Sequence, residues 1–104
     1  MRADALNGQL DSLILATIAE HPVHGYAVLQ RLRQRSGGAF DLAEGTIYPA
    51  LHRLERDGLL SSAWLIEAGR RRRVYSLTRA GRSALGARRR DWAQFARAVE
   101  AVLG

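Results

Sequence analysis

The side chains most able to do chemistry here are cations. Arg70, Arg71, Arg72 and Arg73 follow one another without interruption. They open a stretch from Ala68 to Arg90 that holds nine Arg and no acid, while all ten acids lie before or after it. A basic segment confined to one part of a small chain is an electrostatic footprint for phosphate. A second set lies upstream: Thr46, Tyr48, His52 and Arg53 offer hydroxyls, an imidazole and a guanidinium at helical spacing around Pro49. That set suits hydrogen bonding to a surface rather than bond making. The chain has no Cys, so disulfides and thiolate metal sites are excluded, and His21, His24 and His52 form no metal-spaced cluster. No Ser/His/Asp set, paired carboxylates or phosphate-cradling glycine loop is present, so the sequence reads as non-enzymatic and without a cofactor. Glu44 reads as a helix-start carboxylate favoured by the dipole rather than as a catalytic acid.

The formal charge of the 104 residues is +6, and all 16 basic residues are Arg. A GC-rich genome accounts for Arg over Lys, but not for where the Arg residues lie. No apolar run approaches the ~20 residues of a membrane span. Met1-Arg2-Ala3-Asp4 carries an acid and leads into a polar-interrupted segment. No signal peptide and a cytoplasmic home are therefore expected.

Five elements must position these groups. Leu6, Leu10, Leu13, Ile14 and Ile18, with Thr17, predict a helix over about 6–20 that ends at His21-Pro22. Tyr26, Leu29 and Leu32, with Val28 beside them, predict a second over about 25–34, which Ser36-Gly37-Gly38 stops. His24 and Tyr26 are expected to cap and pack it. Phe40 and Leu42 are expected to plug the core from the connector. A third helix, about 46–56, is expected to start at Pro49's first turn, with Ile47, Leu51 and Leu54 inward and Thr46, Pro49, Ala50 and Arg53 outward. Residues 60–66 and 72–77 read as a β-hairpin with an arginine-loaded turn over 67–71, and Tyr75 and Leu77 should face the core. Thr78 then caps a last helix over about 79–103, roughly 37 Å long. Leu85, Trp92, Phe95, Val99, Val102 and Leu103 fall near heptad spacing along it. So small a body cannot cover that stripe, which points to a second copy.

The order is helix, helix, turn, helix, hairpin, long helix: a mainly α, α+β fold, read as a winged helix-turn-helix over 1–78 and a dimerisation helix over 79–104 in one compact unit. In this architecture the third helix enters the major groove of duplex DNA, the second braces it, and the hairpin reaches an adjacent phosphate or minor groove. The residues also resemble a family. His24-Gly25-Tyr26, then Glu44-Gly45-Thr46-Ile47-Tyr48-Pro49-Ala50-Leu51-His52-Arg53-Leu54-Glu55, then Gly58-Leu59-Leu60, are similar to the signature of PadR-like transcriptional regulators. Gly69 to Thr78 with Gly81 resembles that family's wing and its exit into the last helix. The resemblance covers about residues 6–85 and implies a homodimer that binds operator DNA, usually as a repressor, in the short-tailed branch of the family; a symmetric dimer in turn predicts a pseudo-palindromic operator.

The expected DNA-contacting set is Thr46, Tyr48, Pro49, His52, Arg53 and Arg70 to Arg73. Packing roles for Tyr48 and His52 and a capping role for Thr46 stay open beside it. Arg72 and Arg73 alternate in direction on a strand, so not all four wing arginines can reach DNA. The expected dimer set is Leu6, Leu10, Leu13, Trp92, Phe95, Val99, Val102 and Leu103. The resemblance also implies that a small aromatic effector could stack on Trp92 and Phe95. The rival reading is a winged helix that binds a protein partner without reading DNA.

Overall fold

The computed structural model describes residues 9–104. The first helix, α1 (Leu10–Glu20), buries Ile14, Leu15, Thr17 and Ile18. Thr17 Oγ1 donates to the Leu13 carbonyl at 2.8 Å, so its hydroxyl is satisfied within the helix and its methyl is free to pack. Leu6, and the expected start of this helix near it, lie outside the described residues. His21 is fully extended and Pro22 follows, which ends the helix where the sequence predicts.

Val23–His24 forms a short strand, β1, and leads directly into α2 (Gly25–Arg35). The His24 Nδ1 accepts from the Ala27 amide at 3.3 Å, so His24 is the N-cap of α2. Past the end of α2, Ser36 Oγ donates to the Leu32 carbonyl and accepts from the Phe40 amide, while Gly37 and Gly38 take positive φ. This turns the chain so that Phe40 and Leu42 pack against the core. Within α2 the buried residues are Gly25, Val28, Leu29 and Leu32. Tyr26, expected in the apolar stripe, is 48% exposed.

Helix α3 (Glu44–Arg56) starts two residues before the expected Thr46. Pro49 therefore stands at the sixth helical position, beyond the first turn, and the helix continues through it without a break. Ile47, Leu51 and Leu54 are buried as expected. Ala50, expected outward, is 3% exposed and belongs to the core. With Ala50 on one flank, Leu51 on the other and Ile47 and Leu54 between them, the buried stripe is wider than Ile47, Leu51 and Leu54 alone suggest.

Strands β2 (Leu60–Glu67) and β3 (Arg70–Leu77) pair antiparallel from Leu60↔Leu77 to Glu67↔Arg70. The turn is only Ala68-Gly69, shorter than the expected 67–71, and both residues take positive φ (50° and 75°). Two positive-φ residues make a type I′ turn, whose twist matches that of the strands. β1 adds to the other edge of β3, giving a three-stranded sheet in the order β1-β3-β2. Two residues of pairing carry no periodicity of their own, which is why this strand does not show in the sequence. Tyr75 and Leu77 reach the core as predicted.

Thr78 caps α4 (Arg79–Leu103): its Oγ1 accepts from the Gly81 amide at 3.0 Å and donates to the Gly58 carbonyl. Gly81 lies so close to the turn after α3 that a Cβ there would stand 2.1 Å from the Leu59 carbonyl oxygen. Backbone cannot yield that distance, so the root of α4 is seated against the winged-helix body. Leu85 is buried, whereas Trp92, Phe95, Val102 and Leu103 are exposed.

Candidate nucleic-acid interface

The solvent-facing stripe of α3 consists of Gly45, Pro49, His52 and Arg56, with Thr46 and Tyr48 half-buried beside it. Arg56 is absent from the residues singled out in the sequence, although it follows His52 by four and Pro49 by seven, which is the spacing of one helical face. Tyr48 leans toward the start of α2. A Cβ on Gly25 would stand 2.6 Å from Tyr48 Cε1, so the missing side chain at Gly25 is what admits the ring. Burial pushes the Tyr48 hydroxyl up from the usual phenol range, with Glu44 adding to the effect and Arg72 opposing it. Tyr48 is therefore a neutral hydroxyl, able to donate or accept.

Arg53 is not open in the way its neighbours are. Its Nη1 and Nη2 donate to the two carboxylate oxygens of Asp11, each at 2.8 Å. This fork holds the Asp11 carboxyl below the usual carboxylate range and the Arg53 guanidinium above its own.

The four wing arginines divide in two. Arg73 is tied inward: Nη2 lies 3.1 Å from Glu55 Oε1, and Nε donates to Ser62 Oγ at 2.8 Å. Ser62 in turn donates to Glu55 Oε2 at 2.6 Å. Glu55 thus links α3 to both strands of the wing, a role the sequence reading did not give it. Arg72 Nη1 lies 3.3 Å from His24 Nε2. Burial, and then the Arg72 charge, push the His24 imidazole below its usual range, which keeps it neutral and able to cap α2. Arg70 and Arg71 are exposed at the tip, and among the described residues neither has an acid within 4 Å. The Arg71 guanidinium sits 4.6 Å over the Trp64 ring, whose other arginine neighbour, Arg73, is at 5.8 Å. The exposed ring of Trp64 holds Arg71 in place without neutralising it.

Helix and wing meet in an open groove of about 350 Å³ lined by Tyr26, Tyr48, His52, Trp64, Arg72 and Arg73, among others. Tyr26 and Trp64 escape a reading that looks for polar groups, since their exposure follows from packing and not from residue type. On α4, Trp92 and Phe95 (54% and 59% exposed) lie with ring centroids 5.8 Å apart, and Val99 is half-buried. With Gln9, Ser12, Arg88 and Asp91 they line a shallow cavity of about 340 Å³. Leu10 and Leu13 are half-buried on α1. No helix among the described residues is long and apolar enough to cross a membrane.

Comparison with known proteins bears on this arrangement. The model of the "Transcriptional regulator PadR-like family" matches residues 14–87. A transcriptional regulator of Mycobacterium tuberculosis is 45% identical over 86 residues, spanning 83% of this chain and 78% of the relative. The crystal structure of a PadR family transcription regulator from Clostridium difficile superposes with a TM-score of 0.82 at 31% identity, over 90% of this chain and 97% of that one. A PadR-like transcriptional regulator from Bacillus cereus gives a TM-score of 0.86 at 26% identity, over 97% of both chains.

Proposed function

Since the chain belongs to the PadR-like family of transcriptional regulators, we propose that it binds a pseudo-palindromic operator in duplex DNA as a homodimer and represses transcription by occupying it. In this reading α3 enters the major groove with Tyr48, Pro49, His52 and Arg56 foremost and Thr46 near its start. Arg70 and Arg71 at the wing tip reach the neighbouring phosphates or minor groove. Arg72 and Arg73, held by His24 and Glu55, set the wing's angle and add positive potential. Arg53 reaches DNA only by sharing or releasing Asp11. The observation that carries the reading is the shared groove: Tyr48 and His52 of α3 and Arg72 and Arg73 of β3 line one open cavity.

Trp92, Phe95, Val99, Val102 and Leu103 of α4 supply the dimer seam, packing against α1 of a second copy through Leu10 and Leu13. The cavity beside Trp92 and Phe95 is the place for a small aromatic effector, should one release the operator.

The test is a titration of the Arg70→Ala, Arg71→Ala double variant and the parent against a duplex selected from random-sequence DNA, at several salt concentrations. Each lost phosphate contact removes a released counterion, so the variant should bind all sequences more weakly and its log–log salt slope should be shallower by about 1 per contact. Parent-like affinity and slope would remove the wing from the interface. A parent that binds no duplex even at low salt would favour a protein-binding winged helix instead.

A further inference from the structure

We propose that Asp11 is a positioning residue: it fixes the setting of the recognition helix α3 relative to the long helix α4, and through it the specificity of DNA binding. The inference rests on the DNA-binding reading above. Three helices meet at this one carboxylate. From α3, Arg53 engages both of its oxygens in a two-pronged hydrogen bond at 2.8 Å. From α4, Arg88 Nη2 lies 4.0 Å from Asp11 Oδ2, and Arg88 Nη1 is 3.4 Å from the hydroxyl of the adjacent Ser12. The Asp11 side chain keeps only 20% of its exposure, against 42% for Arg53 and 35% for Arg88.

The core that α1 and α3 share is apolar and includes Ile14, Ile18, Ala50 and Leu54. Apolar packing holds helices together but is non-directional, so it tolerates small rotations about the helix axis. A planar guanidinium forked onto a carboxylate is directional and fixes angle as well as distance. Arg53 stands one turn after Pro49 and beside His52, so a rotation that broke the fork would also swing the DNA-facing stripe. Arg88 stands four residues before Trp92, on the wall of the cavity that Trp92 and Phe95 line. The angle between the helix that joins the subunits and the helix that enters the groove is thus referenced to one side chain of α1. In a symmetric pair, that angle sets where the two α3 copies fall along a duplex.

Electrostatics alone predicts the opposite of positioning, which makes the idea testable. Asp11→Asn removes a negative charge from a basic chain, and by charge alone it should tighten binding to every duplex. The experiment measures the affinity of the full chain for a selected duplex and for a scrambled one of equal length, with thermal melting alongside. For Asp11→Asn the account expects a loss of about tenfold in the ratio of selected to scrambled affinity, with scrambled binding equal or tighter, and partial recovery of the ratio in Asp11→Glu. It also expects Arg88→Gln to lower the ratio in the parent by about threefold and to have no further effect in Asp11→Asn, the mark of residues acting as one unit. An unchanged ratio in Asp11→Asn, tighter binding to both duplexes by the same factor, or an Arg88→Gln effect equal in both backgrounds would each overturn it. Should Asp11→Asn fail to fold, Arg88→Gln alone decides: a lowered ratio at parent-like melting supports the proposal, and a parent-like ratio ends it. A parent that does not distinguish the two duplexes would instead be a failure of the DNA-reading assignment itself.

Discussion

At the scale of single residues, much of the interface depends on what is absent. Gly25 opens α2 without a side chain, and Tyr48 fills the space. Gly25→Ala would gain about 1 kcal/mol of helix preference, but it would place a methyl 2.6 Å from Tyr48 Cε1 and 3.1 Å from Leu51 Cδ1. Overpacking of this kind costs about 1–3 kcal/mol. We therefore expect Gly25→Ala to melt lower than the parent and to bind a selected duplex more weakly, because Tyr48 must turn away. A variant that melts higher and binds as well as the parent would show the ring to be free to move. The pairing of Gly25 with Tyr48 could not be read from the sequence. The two lie 23 positions apart, and only the crossing of α2 and α3 brings them together. Arg53 illustrates the same limit. Helical spacing places it on the flank of α3, but its partner Asp11 comes from a helix 42 residues earlier.

At the scale of elements, helix positions and stop signals were legible wherever a periodic stripe met a Pro, a Gly or a capping Thr. The ends of α1 and α2 and the cap of α4 follow that rule. The start of α3 did not, because Pro49 is a strong signal for a first turn and here stands inside the helix. The wing's turn is shorter than the sequence suggests for a related reason: Ala68 gives no hint of the positive φ it adopts. That strain yields a direct prediction. A non-glycine residue in the left-handed region costs roughly 1 kcal/mol, and type I′ turns favour Asn-Gly. Ala68→Asn should therefore raise the melting temperature, by a stabilisation of about 0.5–1 kcal/mol, and leave affinity for a selected duplex close to the parent's. A lower melting temperature would mean that the wing does not close through this turn. The wing has a second anchor in Glu55, which joins α3 to Ser62 of β2 and Arg73 of β3.

At the scale of the whole molecule, two features stand out. The winged-helix body gathers Tyr48, His52, Arg72 and Arg73 around one groove, and α4 carries Trp92, Phe95, Val102 and Leu103, all exposed. Large apolar side chains spaced along one helix stripe are a cost in water unless something covers them, and in the proposed homodimer α1 of the second copy is that cover. The fold class and the membership of the family were both legible from motif order and residue signature. The way α4, α1 and α3 are tied at Asp11 was not, since ion pairs between distant elements leave no periodic trace.

The measurement that tests the central claim most directly is a hydroxyl-radical footprint on a selected duplex, read together with the mass of the complex. Two copies of the chain per duplex should protect two patches on the same face, about one helical turn apart and related by a two-fold axis. A single protected patch with one copy bound, or uniform protection with no phase, would contradict it.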